Sequence, residues 1–169
     1  MNKKLKKTAV TGLFAAMIFV LTFLIKIPAP TGYVHFGDAL VYACAMILGS
    51  PWALIAAALG EGLADIVGGY VVYFPATAVV KLLIALPFLW AAKRQNGLFS
   101  LRTSLLTLLS GAINIGGYFV ADLIIDKSYA IVNIPGNVVQ AVGSAVIFII
   151  LALAFDRTGV TERIKSQWR

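Results

Sequence analysis

Several rows of polar residues stand inside otherwise apolar stretches of this chain. Asn114, Tyr118 and Asp122 follow one another at four-residue spacing. Tyr73, Thr77 and Lys81 do the same, and Asn133, Asn137 and Gln140 come close to it. Residues three or four apart share one face of an α-helix, so each row is a polar stripe. Glu61 and Asp65 make a shorter stripe of carboxylates. These amides, phenols, carboxylates and one ammonium are good hydrogen-bonding groups. They are poorly assorted for making or breaking bonds. His35 is the single histidine and Cys44 the single cysteine, so no Ser/His/Asp or Cys/His arrangement is persuasive. No Cys/His cluster has metal-ligand spacing, and no GxxxxGK[ST] loop is present. The chemistry implied is reversible binding of a polar solute, with no metal, no cofactor and no ATP hydrolysis by the chain itself. An enzyme is not expected.

The elements that must position these stripes follow from composition. The chain has 169 residues, of which 60% are hydrophobic and 12% charged. That is more apolar than a water-soluble core requires. The apolar residues come in long blocks, which put apolar surface on all sides of a helix and imply lipid as the solvent. Backbone amides in a bilayer need internal partners, so the blocks must be helices or a closed barrel. Strand-like alternation is absent. We therefore expect an all-α polytopic membrane protein, one domain over residues 1–169 that forms a bundle of six transmembrane helices. The spans are read at about 8–26, 36–49, 51–68, 75–92, 103–123 and 135–155. Pro51, Pro75 and Pro135 each stand at a helix start, where proline is tolerated. The second span is short. Fourteen helical residues reach only about 21 Å against a hydrocarbon core of roughly 30 Å. Either neighbouring helices shield it or the bilayer thins around it.

Charge sets the orientation. The net charge of +7 would point to nucleic acid in a soluble protein, but here the basic residues collect at helix ends. With the N-terminus inside, the inner segments carry Lys3, Lys4, Lys6, Lys7, Lys93, Arg94, Arg102, Arg157, Arg163, Lys165 and Arg169, which is 11 of the 14 lysines and arginines. Lys26 and Lys127 fall in outer loops and Lys81 within a span. This asymmetry places both termini of the multi-pass chain in the cytoplasm. The basic N-terminus followed by an apolar run resembles a secretory signal, but further spans follow, so it is expected to be retained. Cys44 reads as a small packing residue.

In this orientation the polar stripes share one depth. Glu61 and Asp65, Thr77 and Lys81, Tyr118 and Asp122, and Asn137 and Gln140 all fall in the outer half of their spans, with Asn114 near the middle. His35 and Asp38 stand at the outer start of the second span and Tyr42 one turn deeper. Buried ionisable groups face a bundle interior or a water-filled cavity, so the shared depth implies a cavity open to the outside. The candidate ligand-binding set is His35, Asp38, Tyr42, Tyr73, Lys81, Asn114, Tyr118, Asn137 and Gln140. Structural roles stand beside the binding one. Lys81 can simply pair with Glu61 or Asp65. Asn and Gln are ordinary interhelical links. Tyr70, Tyr73 and Tyr129 suit an interfacial belt, and Asp38 suits a helix cap. The segment from Lys26 to His35 is long for a helix connection, stiffened by Pro28 and Pro30 and hinged at Gly32, as a lid would be. In the first span Thr8, Gly12 and Ala16 line one face, and small residues at this spacing let another helix approach closely.

Further motifs sharpen this picture: His35-Phe36-Gly37-Asp38-Ala39-Leu40, Leu48-Gly49-Ser50-Pro51-Trp52-Ala53, Gly62-Leu63-Ala64-Asp65-Ile66-Val67-Gly68-Gly69-Tyr70, and Pro75-Ala76-Thr77 with Lys81. With the small-residue first span they make the chain resemble the substrate-binding S component of an energy-coupling factor (ECF) vitamin transporter. The resemblance covers nearly the whole chain and is strongest from 35 to 81. Within that group the chain is most similar to the hydroxymethylpyrimidine- or pyridoxine-type members of the riboflavin-type branch. The resemblance implies capture of a small vitamin under the loop between spans one and two. It also implies partnership with a transmembrane coupling protein and two ATPase subunits. The family's AxxxA docking pattern maps onto Gly12 and Ala16, with glycine in place of the first alanine. The other reading of the residues is a stand-alone proton-coupled secondary transporter using Glu61, Asp65 or Asp122. A non-transporting membrane assembly factor is a third.

Overall fold

The computed structural model describes residues 2–29 and 32–167. Each apolar block forms a helix. Helix α1 runs over Lys3–Leu24, α2 over Asp38–Leu48, α3 over Trp52–Gly68, α4 over Phe74–Ala92, α5 over Leu101–Ile125 and α7 over Ile134–Arg157. Between α5 and α7 lies a single turn, α6 at Tyr129–Val132, and after α7 comes the short α8 at Val160–Ser166. The connection between α1 and α2 is a hairpin, with β1 at Ile27–Ala29 paired antiparallel to β2 at Gly32–Val34. Pro30 and Thr31, part of the expected lid, lie outside the described residues, as does Arg169.

Among the described residues, four helical stretches are long and apolar enough to cross a membrane: Lys3–Leu24, Val71–Ala92, Leu101–Ile125 and Tyr129–Arg157. Helix α3, at 17 residues, reaches about 26 Å. Helix α2, at 11 residues, reaches only about 17 Å. Every one of its residues is buried. Helices α3, α4 and α7 pack around it, and α1 joins the bundle by lying along α3. A helix sheathed in this way needs no lipid-facing length of its own. The outer faces of the longer helices carry Leu13, Val79, Leu108, Val142 and Ile150, all exposed. A water-soluble protein hides such a surface, whereas lipid solvates it.

Local chemistry fixes the helix ends near the polar residues. Gly69, with φ +86°, ends α3, and its N–H bonds to the carbonyls of Asp65 and Ile66. Glycine takes that left-handed conformation without strain. Pro75 and Pro135 stand in the first turns of α4 and α7, where a missing N–H removes no helical bond. Pro87 lies inside α4, a feature the residue pattern did not single out. Three residues earlier, the hydroxyl of Ser110 in α5 donates to the carbonyl of Ile84 at 2.8 Å, a side-chain link that ties α5 to α4 beside the proline. At the basic end, the Asp156 carboxylate accepts from the N–H groups of Leu98 and Phe99, each at 2.8 Å, and from Thr161. This clamps the α4–α5 turn to the end of α7.

Helices α1 and α3 approach closely at Gly60. A Cβ there would lie 2.7 Å from Cβ of Ile18 and 2.8 Å from the carbonyl oxygen of Ala15. One obstacle is backbone, so the helices themselves must separate. Gly60→Val should therefore destabilise the detergent-purified protein by about 1–3 kcal/mol, read as a lower melting temperature. An unchanged melting temperature would show that α1 and α3 are not packed this closely.

Candidate functional site

The polar residues gather where α3 ends, α4 begins, α5 ends and α7 begins. They divide into two layers. The inner layer is built on Lys81. An ammonium has three N–H bonds to give. Nζ of Lys81 finds Oδ1 of Asp38 at 2.6 Å, Oδ1 of Asn114 at 2.9 Å and Oε2 of Glu61 at 3.1 Å. All four residues are fully buried. The second oxygen of Asp38 accepts from Nε2 of Gln140 at 3.0 Å. The network thus takes one side chain from each of α2, α3, α4, α5 and α7.

His35 joins the inner layer from the hairpin side. Its Nδ1 accepts from the Gly37 N–H at 3.2 Å, which leaves Nε2 facing Oε2 of Glu61 at 3.5 Å. Burial, seconded by the charge of Lys81, pushes its pKa down from the ordinary 6.5 to about 3. The ring is therefore neutral, and its one proton sits on the nitrogen that faces the carboxylate.

The outer layer lines a cavity. Its wall is made by the hairpin residues Tyr33 and His35, by Asp65 of α3, by Tyr70, Tyr73 and Thr77, by Tyr118 and Asp122 of α5, and by Asn133, Asn137 and Gln140. The enclosed space is small, ≈ 70 Å³, below the roughly 300–1,000 Å³ usual for small-molecule sites. Side chains across the wall are tied together. The Tyr33 hydroxyl donates to Oδ1 of Asp65 at 2.9 Å. The Tyr73 hydroxyl and Nδ2 of Asn133 donate to the two oxygens of Asp122 at 2.8 and 2.9 Å. Thr77 and Tyr118 share a hydrogen bond of 3.0 Å. The rings of Tyr33 and Tyr70 lie 5.1 Å apart, and burial beside Asp65 pushes the Tyr33 phenol up. Aromatic faces between fixed hydrogen-bonding groups can hold a flat polar ligand.

Of the candidate binding residues, His35, Tyr73, Tyr118, Asn137 and Gln140 come together on this wall. Asp38, Lys81 and Asn114 do not reach it and form the brace behind it. Tyr42 lies deeper still. Its ring stacks on Phe88 at 4.4 Å and meets Phe148 edge-on at 5.7 Å, which makes it a core aromatic. Asp65, Thr77, Asp122 and Asn133 are wall residues absent from the candidate set, although their helical rows had marked the correct depth. Tyr33 and Tyr70 also line the wall. They sit in non-helical connections, where spacing carries no information about facing.

Comparison with known proteins agrees with a membrane transport role. The family model for the ECF-type riboflavin transporter, S component, matches residues 2–157. A protein of Pyrococcus woesei described as "Uncharacterized protein in gap 3'region" is 30% identical over 133 residues, which covers 77% of this chain and 88% of that protein.

The inner layer generates two expectations. Lys81→Met leaves Asp38 and Glu61 buried without their cation and should cost about 3–5 kcal/mol, seen as a large fall in melting temperature. Adding Asp38→Asn and Glu61→Gln to that variant should recover much of the loss. A lone Lys81→Met of wild-type stability would dismiss the brace. His35 gives a pH signature. Its folded pKa lies below the ordinary value, so the unfolded chain binds more protons between about pH 6.5 and 3 and stability must fall as pH falls through that window. His35→Gln should flatten the decline in melting temperature between pH 7 and 4.5, and identical profiles for both proteins would contradict a neutral His35.

Proposed function

The chain belongs to the family of ECF-type riboflavin transporter S components, and on that premise we propose that it captures a small aromatic vitamin or vitamin precursor from outside the cell for ATP-driven import. S components are membrane-embedded substrate-binding subunits of vitamin importers and are not enzymes. The favoured ligands are hydroxymethylpyrimidine and pyridoxine, both flat, hydroxylated nitrogen heterocycles. The observation that carries this reading is the cavity wall of tyrosines, amides and carboxylates described above. Its residues are amphipathic rings and hydrogen-bonding tips, which is the combination such a heterocycle needs.

We read the chain as one six-span domain with both termini in the cytoplasm, in the plasma membrane of a prokaryote. The basic residues at the ends of α4, α5 and α7 opposite the cavity support that orientation. Energy would come from partners, a transmembrane coupling protein and two ATPase subunits. The outward face of α1 supports a docking role. Gly12 and Ala16 are exposed, and a Cβ on Gly12 would meet nothing within 4 Å. The opposite face of α1 is occupied by α3 at Gly60, so the small-residue stripe is left for another subunit.

Two measurements test the reading. Detergent-purified chain should be stabilised by one member of a panel of B vitamins and their precursors, and mass spectrometry of co-purified small molecules should identify the same compound. A flat response across the panel, with no co-purified ligand, would remove the vitamin-binding function. Gly12→Leu combined with Ala16→Leu should abolish ATP-driven uptake in proteoliposomes containing the coupling module while leaving ligand binding within about twofold. Normal uptake by that double variant would move the docking surface elsewhere.

A further inference from the structure

Asp65 is half used. It is 8% exposed and sits on the cavity wall. Its Oδ1 accepts the Tyr33 hydroxyl at 2.9 Å and the Thr77 hydroxyl lies near the carboxylate, whereas Oδ2, itself buried, accepts no well-formed hydrogen bond among the described residues. A buried carboxylate oxygen without a donor is costly. The other wall carboxylate differs in this respect, because both oxygens of Asp122 are engaged by Tyr73 and Asn133.

The charges around the cavity point the same way. Among the described lining residues there are two carboxylates and no lysine or arginine. Lys81 stands off the wall, 5.1 Å from the centre of the Tyr118 ring, with its donors committed to Asp38, Asn114 and Glu61. Lys26 lies over the rings of Phe23 and Tyr33, at 4.0 and 4.5 Å, and is not part of the wall either. A phosphate or carboxylate brought into this space would face two like charges, while the cations that act on Asp65, Lys81 and Lys26, both stand off the wall. A hydroxymethyl, amino or protonated ring N–H group would instead supply the donor that Oδ2 lacks.

We infer that Asp65 divides its two oxygens between the hairpin and the ligand, and that the cavity accepts an uncharged or cationic, donor-bearing ligand while rejecting its phosphate ester. The inference rests on the vitamin-binding reading and adds the charge class and the contact residue.

The test is calorimetric titration of the detergent-purified wild-type chain with pyridoxine, hydroxymethylpyrimidine and riboflavin, each against its monophosphate. The free form of whichever compound binds should be favoured by about 100-fold or more. Asp65→Asn should weaken the free form by about tenfold or more, and Tyr33→Phe should weaken it less and keep the discrimination. Equal or tighter binding of a phosphate ester would overturn the charge inference and leave the vitamin reading standing. Undiminished binding by Asp65→Asn would overturn the contact. Should that variant fail to fold, the wild-type ratio and the Tyr33→Phe titration still decide the matter. No binding in any pair would take down the vitamin reading and this inference together.

Discussion

A single ammonium buried among apolar helices constrains the whole arrangement. Transferring such an ion out of water costs several kcal/mol even after relaxation. In a bilayer no solvent is at hand to offset that cost. Lys81 is fully buried, so each of its three N–H bonds must end on protein. Asp38 and Asn114 accept hydrogen bonds and Glu61 faces the ammonium as an ion pair at 3.1 Å, and these residues come from α2, α5 and α3. The position of α4 is thereby fixed against three other helices at once. Gln140 extends the tie to α7 through the second oxygen of Asp38. Dispersion contacts alone would let apolar helices slide against each other. A buried charge network restricts the register, even though both Glu61 oxygens and Nδ2 of Asn114 have no hydrogen-bond partner among the described residues.

The same network explains where the cavity can lie. It fills the middle of the bundle at the level of Lys81, so open space begins beyond it, where the helices end. There the wall is assembled from helix termini and connections: Asp65 before the Gly69 stop, Tyr70 and Tyr73 between α3 and α4, Asp122 at the end of α5 and Asn137 in the first turns of α7. The hairpin closes the arrangement from above. It is attached to both layers, to the wall by Tyr33 on Asp65 and to the brace by His35 against Glu61. Movement of the hairpin is therefore coupled to groups that also face the cavity. A neutral His35 suits this position, because a second cation beside Lys81 would oppose the hairpin's seating.

Much of this was legible in the residues, and the limits are physical. Helix existence and approximate ends followed from hydropathy blocks and from Pro75, Pro135 and Gly69. The concentration of polar side chains at one end followed from helical spacing plus the basic residues at the other. Depth along the axis was thus readable, but radial position was not. Asp38, Lys81 and Asn114 lie close in depth to the wall residues and point to the bundle centre, and only the tertiary arrangement separates brace from wall. Tyr42 illustrates the same limit, since an inward-facing tyrosine one turn below a site looks like a ligand residue until Phe88 and Phe148 are seen around it. Tyr33 and the hairpin were invisible for a different reason. A three-residue strand pair containing Pro28 has no periodic signature, and the register of Tyr33 on Asp65 is set by a contact 32 residues away in sequence. The shortness of α2 was visible, whereas the cause, complete enclosure by neighbours, belonged to packing.

Stability and selectivity are linked by this division of charge. Lys81 is the buried lysine of the polar end of the bundle, and the brace consumes it. The carboxylates of the wall are then left without a cation of their own, held in place by phenol and amide donors instead. Those neutral donors satisfy Asp122 fully and Asp65 by half. Had Lys81 pointed to the cavity, it would have offered an anion a counter-charge, but the inner carboxylates would have stood buried without a cation. The low dielectric of the interior makes that second arrangement far the worse one. The acidity of the cavity is in this sense a consequence of how the helices are held together, and it restricts which ligands the site can accept before any shape complementarity is considered.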